Sequence, residues 1–370
     1  MGTAAKKGTP TLEDLFSLMP KWEASDLHLK VDTPPVYRVG GQLRRMKSDP
    51  IPGEQIEKMV QDFLGDERFE ELQEQGSVDI GYTFEGGRVR INLFLQRGNI
   101  SMAARLVENY IPELEELNLP PQLEKVIEFP QGLVLVCGVT GSGKSTTLAS
   151  LLQQINRRFT KHILTIEDPI EYLHYDDNSI INQREMGLDC HSWPSALRAA
   201  VREDPDIILV GEMRDRETFQ AALTASETGH LVFGTLHTSS AAGTVGRILD
   251  LFPTQKHTLI RQSLSMNLNA IIGQKLMPSC AEDVARVPVV EFMLKNATIA
   301  KAIDRGEDHK ITGLIQEGEN EGMITWTKSF VDNIRAGLLE KKVAKEYAPN
   351  KEQLEMALKG INVAHSTLND

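Results

Sequence analysis

The sequence is poor in cysteine, in long apolar runs and in positive charge. Its three cysteines, Cys137, Cys190 and Cys280, lie far apart. That excludes a disulfide scaffold and a four-cysteine zinc site, and it fits a reducing cytoplasm. No apolar stretch reaches the roughly 18 residues that a membrane-spanning helix needs. The opening MGTAAKKGTP has two lysines but no apolar core behind them, so no signal peptide is expected. With 40 Lys and Arg against 52 Asp and Glu, the net charge is −12, and nucleic acid is not expected as a direct partner. What is present is ordinary for a folded chain: 41% hydrophobic and 25% charged residues over 370 positions, a length that favours two domains over one.

The pattern divides accordingly. Residues 1–10 are small and polar and are expected to be a disordered tail. Residues 11–107 read as a small α+β domain. Thr11 and Asp14 resemble a cap ahead of Leu12, Leu15, Phe16 and Met19, and residues 56–72 read as one charged surface helix. Strands are expected over 77–84, 88–96 and 100–106. Residues 108–122 (ENYIPELEELNLPPQ) combine three prolines with an acidic run and are expected to be a linker. From 123 to 350 the texture changes. The runs GLVLV (132–136), HILTI (162–166), IILV (207–210) and LVFGT (231–235) are nearly all apolar, and helical patterns separate most of them. Strands buried on both faces and alternating with helices predict a parallel sheet in an α/β domain. Beyond Pro253 the chain reads as mainly helical, with Ile260, Leu264, Leu268, Ile271 and Ile272 as one core-facing stripe, and 351–370 reads as a tail.

The segment 138–145, GVTGSGKS, follows the first apolar strand and opens a helical stretch, as a phosphate-binding P-loop requires. Glycines at Gly138, Gly141 and Gly143 let backbone N–H groups converge on phosphate, with Thr140, Ser142 and Thr146 completing the cradle. Lys144 is placed to reach the β- and γ-phosphates and Ser145 to hold Mg²⁺, so ATP and Mg²⁺ are the expected ligands. An accidental glycine-rich turn would not come with a strand before it and a helix after it.

Three further strand ends carry polar groups where an α/β sheet binds its ligand. Glu167 ends HILTI, with Asp168 and Glu171 following. Glu212 comes two residues after IILV, with Asp215 beyond it, and His237 follows LVFGTL. Glu212 and Glu167 are the candidates for ordering Mg²⁺ or positioning the attacking water, and His237 for contacting the γ-phosphate. For each carboxylate the plainer reading is a solvated acid or a helix cap, and for other histidines such as His162 and His257 it is a structural or surface role.

These segments together resemble the secretion ATPases of type II and type IV pilus systems, and within them the PilT/PilU retraction branch. GVTGSGKSTTLA resembles the family's Walker A segment and HILTIEDPIEY its Asp box. REDPDIILVGEMRD resembles its Walker B, and ETGHLVFGTLHT its His box. SDLHL (25–29) and GGRVRINLF (86–94) are similar to signatures of its PAS-like N-terminal domain, and the likeness runs from about residue 12 to about residue 345. The resemblance implies a RecA-like P-loop ATPase domain with a helical C-terminal part, behind a PAS-like domain. It further implies a homohexamer at the cytoplasmic face of the inner membrane, attached through an inner-membrane pilus platform protein (PilC-like). By the same likeness, arginines among Arg88, Arg90, Arg97 and Arg105 complete the nucleotide site, Arg90 and Arg105 being the best matches.

The paucity of cysteine and the short N-terminal stretch both differ from extension ATPases with a zinc-binding insertion, which favours the retraction branch. One departure stands against it. Where retraction ATPases resemble one another in an AIRNLI segment, residues 298–303 read TIAKAI, keeping the apolar positions but not the Arg-Asn pair. Hydrolysis is expected regardless. A PilU-like accessory ATPase, a divergent secretion ATPase, a PilB-like extension motor and a nucleic-acid translocase are the alternatives.

Overall fold

A computed structural model describes residues 10–107 and 110–361. Apart from Pro10, the expected N-terminal tail lies outside the described residues, as do 108–109 and 362–370. The chain divides into two compact units, residues 1–110 with 169–173 and residues 111–168 with 174–370.

The first unit opens with α1 (Leu12–Lys21), followed by β1 (Ala24–Leu29), β2 (Val36–Val39) and β3 (Gln42–Arg45). Then come α2 (Gly53–Leu64), α3 (Asp66–Gln75), β4 (Ser77–Phe84), β5 (Gly87–Gln96) and β6 (Asn99–Val107). Thr11 and Asp14 form the expected reciprocal cap. The Asp14 N–H donates to Thr11 Oγ1 at 3.1 Å and the Thr11 N–H to Asp14 Oδ2 at 3.0 Å. The stretch read as one helix over 56–72 is two, because Gly65 sits at φ 74° and interrupts it. The six strands form one antiparallel sheet in the order β3-β2-β1-β6-β5-β4. Its turns at Gly40 with Gly41 and at Arg97 with Gly98 hold positive φ at both positions, the geometry that suits a twisted two-residue hairpin. One face packs Leu27, Tyr37, Ile91 and Ala104 against Leu15, Phe16, Ile56 and Val60. Across the other face the strand register aligns Arg38, Asp26, Arg105 and Arg90 in one row.

The second unit begins earlier than the linker assignment implies. Ile111, Leu114 and Leu119 are buried, and Leu114 and Leu119 join the core that Leu123, Val126 and Ile127 also fill. The acidic run alternates with apolar side chains that find a core, and that burial outweighs the solvated reading of the segment. Next come β7 (Gly132–Cys137), α4 (Lys144–Arg158), β8 (His162–Glu167), β9 (Ile180–Glu185), α5 (Trp193–Ala200) and β10 (Ile207–Val210). They are followed by α6 (Arg216–Glu227), β11 (Leu231–Leu236), α7 (Ala241–Asp250), α8 (His257–Asn267), β12 (Leu268–Pro278) and β13 (Arg286–Leu294). The sheet order is β13-β12-β7-β11-β10-β8-β9, parallel throughout except for β13.

Beyond Pro253 helices predominate as expected, but β12 and β13 interrupt them, and the reading of Leu268, Ile271 and Ile272 as part of a helical stripe is corrected. Leu268, Ile271 and Ile272 have helical spacing, but they belong to a continuous apolar run buried on both faces of the sheet, which periodicity alone does not distinguish from a helix. The remaining helices are α9 (Ala297–Arg305), α10 (Ile311–Glu317), α11 (Trp326–Arg335), α12 (Lys341–Tyr347) and α13 (Lys351–Leu358). The tail expected over 351–370 therefore starts as a helix, whose Leu354 is fully buried in a cluster with Val287, Phe330 and Ala344. Among the described residues no helix is long and apolar enough to cross a membrane.

Candidate functional site at the C-terminal edge of the parallel sheet

Four neighbouring strands deliver the predicted residues to one edge. β7 ends in the loop 138–143, β11 in His237, β10 in Glu212 and β8 in Glu167. Register fixes their level: Cys137 lies opposite Leu236, while Val210 lies opposite Gly234 on one side and Ile166 on the other.

The loop has the form that phosphate binding demands. Gly141 and Gly143 sit at φ 77° and 86°, open to glycine at low cost. Gly138 is glycine for want of room: a Cβ there would stand 2.3 Å from Ser142 Oγ and 2.4 Å from the Gln274 carbonyl oxygen. Lys144 begins α4, and its Nζ donates to the carbonyls of Gly138 at 2.8 Å and Val139 at 3.2 Å, so the ammonium already lies against the loop. Ser145 and Thr146 follow in the first turn. That turn has no acidic residue, and the helix's two terminal arginines are at its far end, so its N-terminal field is available to an anion. Ser142 Oγ is buried within the loop without a hydrogen-bond partner.

Glu212 is held from both sides. The Gly211 N–H donates to the Ile166 carbonyl at 2.8 Å and the Met213 N–H to that of Thr235 at 3.2 Å, while Thr235 Oγ1 donates to the Gly211 carbonyl at 2.5 Å. Met213 is buried over Gly234, where a Cβ would stand 2.2 Å from its terminal methyl carbon. So anchored, Glu212 Oε1 accepts from Arg214 Nε at 2.5 Å and from His237 Nε2 at 2.8 Å. Because a carboxylate oxygen only accepts, the imidazole Nε2 carries the proton in this contact. Burial pushes the Glu212 carboxyl up, but Arg214 and His237 outweigh it and hold the pKa below the usual glutamate value.

Glu167 is braced by its own neighbours, accepting on Oε1 from Thr165 Oγ1 at 2.6 Å and from Gln183 Nε2 at 3.1 Å. Asp215 takes the plainer role, capping α6 through the Thr218 N–H at 2.9 Å and hydroxyl at 2.8 Å. His162 and His257 are likewise structural, bonded to Asn182 and to the Phe252 carbonyl. Arg90 and Arg105 belong to the first unit, directly opposite one another on β5 and β6. Arg105 donates through Nε to Asp26 at 2.8 Å, and Asp26 also pairs with Arg38 at 3.2 Å. Arg88 is buried and donates to Thr83 Oγ1 at 2.8 Å.

The family profile for type II/IV secretion system proteins matches residues 102–329. The type IV pilus retraction ATPase PilT of Pseudomonas aeruginosa is 40% identical over 91% of this chain and 98% of its own length. The chain belongs to the type II/IV secretion system protein family. Within that family, PilU of the same organism, a type IV pilus ATPase, is 35% identical over 94% of this chain and 91% of its own length. The crystal structure of the pilus retraction motor PilT with bound ADP superposes with a TM-score of 0.85 at 39% identity, covering 94% of this chain and 99% of that one.

Two features of this family member's site were not foreseen. Arg214, two residues beyond Glu212, could have been noticed as the cation nearest the candidate acid. Gln274 was hidden when its strand was read as helix. An amide directly after the apolar AIIG, inside the run LNAIIGQKLMP, is the signal that the correct assignment exposes. Among the described residues no group of three or more His, Cys, Asp or Glu could hold a metal ion.

Proposed function

We propose that this chain is an ATP-hydrolysing motor that powers type IV pilus retraction, working as a homohexamer at the cytoplasmic face of the inner membrane and acting on a PilC-like platform protein. The observation that carries the ATPase reading is the meeting of a P-loop with the anchored Glu212–His237 pair along one sheet edge. The likeness to PilT over nearly its whole length supports the retraction role.

The chemistry follows from the residues. The loop N–H groups, Lys144 and the N-terminus of α4 bind the triphosphate, and the glycine cradle and uncommitted Ser142 hydroxyl suit such an anion. Ser145 and Glu167 would hold Mg²⁺, offering the hard oxygen donors it prefers, and the bound ion would supply charge neutralisation to the phosphates. Glu212, held ionised, orients and polarises the attacking water as a hydrogen-bond acceptor. His237 couples that carboxylate to the neighbouring strand end and senses the γ-phosphate. Arg90 and Arg105 serve as the cations that complete the site when nucleotide binding draws the units of the ring together, a contribution worth about 10³–10⁵ in rate for a well-placed arginine. Release of product reopens the ring, and repeated closure supplies the stroke.

A second reading, a PilU-like accessory ATPase, is favoured by residues 298–303. Ile299, Ala302 and Ile303 keep the buried face of α9, while its surface lacks the Arg-Asn pair. Deleting the gene and scoring surface pili and twitching separates the cases. Retained pili with lost motility support retraction. Absence of pili supports extension and contradicts it. Motility restored by raising another retraction ATPase supports the accessory role.

A further inference from the structure

We infer that Gln274, on β12, is a positioning residue for phosphate binding, setting the orientation of the peptide between Ser142 and Gly143. The inference rests on the nucleotide-binding reading of the P-loop and names the residue outside that motif which holds its geometry.

β12 runs parallel beside β7 but extends beyond it. Gly273 lies opposite Cys137, the last residue of β7, so Gln274 lies alongside the start of the loop. Its side chain is 3% exposed and both ends are engaged. Nε2 donates to the Ser142 carbonyl at 2.8 Å, and Oε1 accepts from Thr147 Oγ1 at 2.8 Å. Thr147 is itself 1% exposed and lies in the first turns of α4. One amide therefore ties the loop to the helix that follows it.

The consequence comes from peptide geometry. In a planar trans peptide the carbonyl and the following N–H point in opposite directions. Drawing the Ser142 oxygen toward β12 therefore turns the Gly143 N–H away from β12. A P-loop needs its N–H groups converging on phosphate, so the orientation of this donor matters to affinity. Thr147 fixes which end of the amide faces the loop: the hydroxyl donates to Oε1, which leaves the NH₂ for Ser142. Gln274 also explains two motif glycines. Its carbonyl occupies the space a Cβ on Gly138 would need, and its Nε2 would stand 2.8 Å from a Cβ on Gly143. The motif's first and last glycines are thus shaped to this strand as well as to a ligand.

The test measures ADP and tripolyphosphate binding by full-length wild type and by Gln274→Met, Gln274→Glu and Thr147→Val. Gln274→Met should weaken both ligands about tenfold, the scale of one hydrogen bond lost from a binding site. Gln274→Glu should weaken them at least as much, because an acceptor then faces the Ser142 carbonyl. In turnover, KM for ATP should rise while kcat at saturation changes less than about threefold. Thr147→Val should weaken binding by a smaller factor, and adding it to Gln274→Met should cost nothing further, since the two act as a unit. A purely structural role would lower the melting temperature without changing the affinity of the folded fraction. Should Gln274→Met not fold, the other two variants decide. Affinities within twofold of wild type, or additive losses in the double variant, overturn the inference while leaving nucleotide binding intact. A wild type that bound neither ligand would overturn both.

Discussion

His237 and Glu212 come from adjacent strand ends and meet at 2.8 Å, with the imidazole Nε2 donating to the carboxylate. Arg214 approaches the same oxygen at 2.5 Å. The pair links the loop after β11 to the loop after β10, so a displacement of one reaches the other without an intermediate residue. Both contacts favour the ionised carboxylate and offset its burial.

A pH prediction follows. Because Glu212 is held below its ordinary value, it stays charged to lower pH than an ordinary glutamate. Removing a donor by His237→Ala or Arg214→Ala should move the acid limb of kcat/KM toward higher pH. Phosphate release measured from about pH 4 to pH 7 reads the shift. An acid limb that stays put in both variants would contradict the electrostatic account.

The anchoring of Glu212 can be tested away from the chemistry. Gly234→Ala places a methyl where the Met213 terminal carbon now lies. It should cost about 1–3 kcal/mol of stability, the usual penalty for overpacking, and lower kcat by loosening residues 211–213. Combining it with Met213→Ala makes room and should recover part of the turnover. Equal loss in the single and double variants would point to some other cause.

A buried carboxylate should leave its mark on stability. Glu291, on β13, is 2% exposed and accepts from the Ala241 N–H at 2.6 Å at the start of α7, facing Lys275 and Cys137. Burial pushes its pKa from 4.5 up to about 7, against the opposing pull of the Ala241 N–H and Lys275. The folded state therefore holds a proton that the unfolded state releases. The site's contribution is fully present below about pH 4.5 and is lost as pH rises through about 7. The change is on the order of 3 kcal/mol at most. Urea unfolding of Glu291→Gln should be flatter than wild type across this window, and parallel curves would refute the assignment.

The parts legible in the sequence were those with strong local grammar. The cap at Thr11, the glycine-rich loop at 138–143 and the four buried strands each obey a rule that tertiary context does not override. Glu212, Glu167 and His237 stood out as candidates because strand ends of a parallel sheet face the ligand side in this fold class, and the structure places them along one edge. What escaped notice depended on distant packing. Leu268, Ile271 and Ile272 suit a helix or a buried strand equally, and the choice is made by pairing with β7 and β13. Gln274 was lost with that strand, although 132 residues separate it from the Ser142 carbonyl it holds. The acidic run after Tyr110 looked like a linker because its charges are visible in sequence and the burial of Leu114 and Leu119 is not.

The most direct test of the central claim is steady-state phosphate release by Glu212→Gln, measured with ATP binding on the same preparation. Glu212→Gln should bind ATP as wild type does, because Lys144 and the loop are untouched, while turnover falls by about 10² or more, the scale of a lost water-activating carboxylate. Turnover within a few fold of wild type would remove Glu212 from the reaction and with it the mechanism built on the His237 pair.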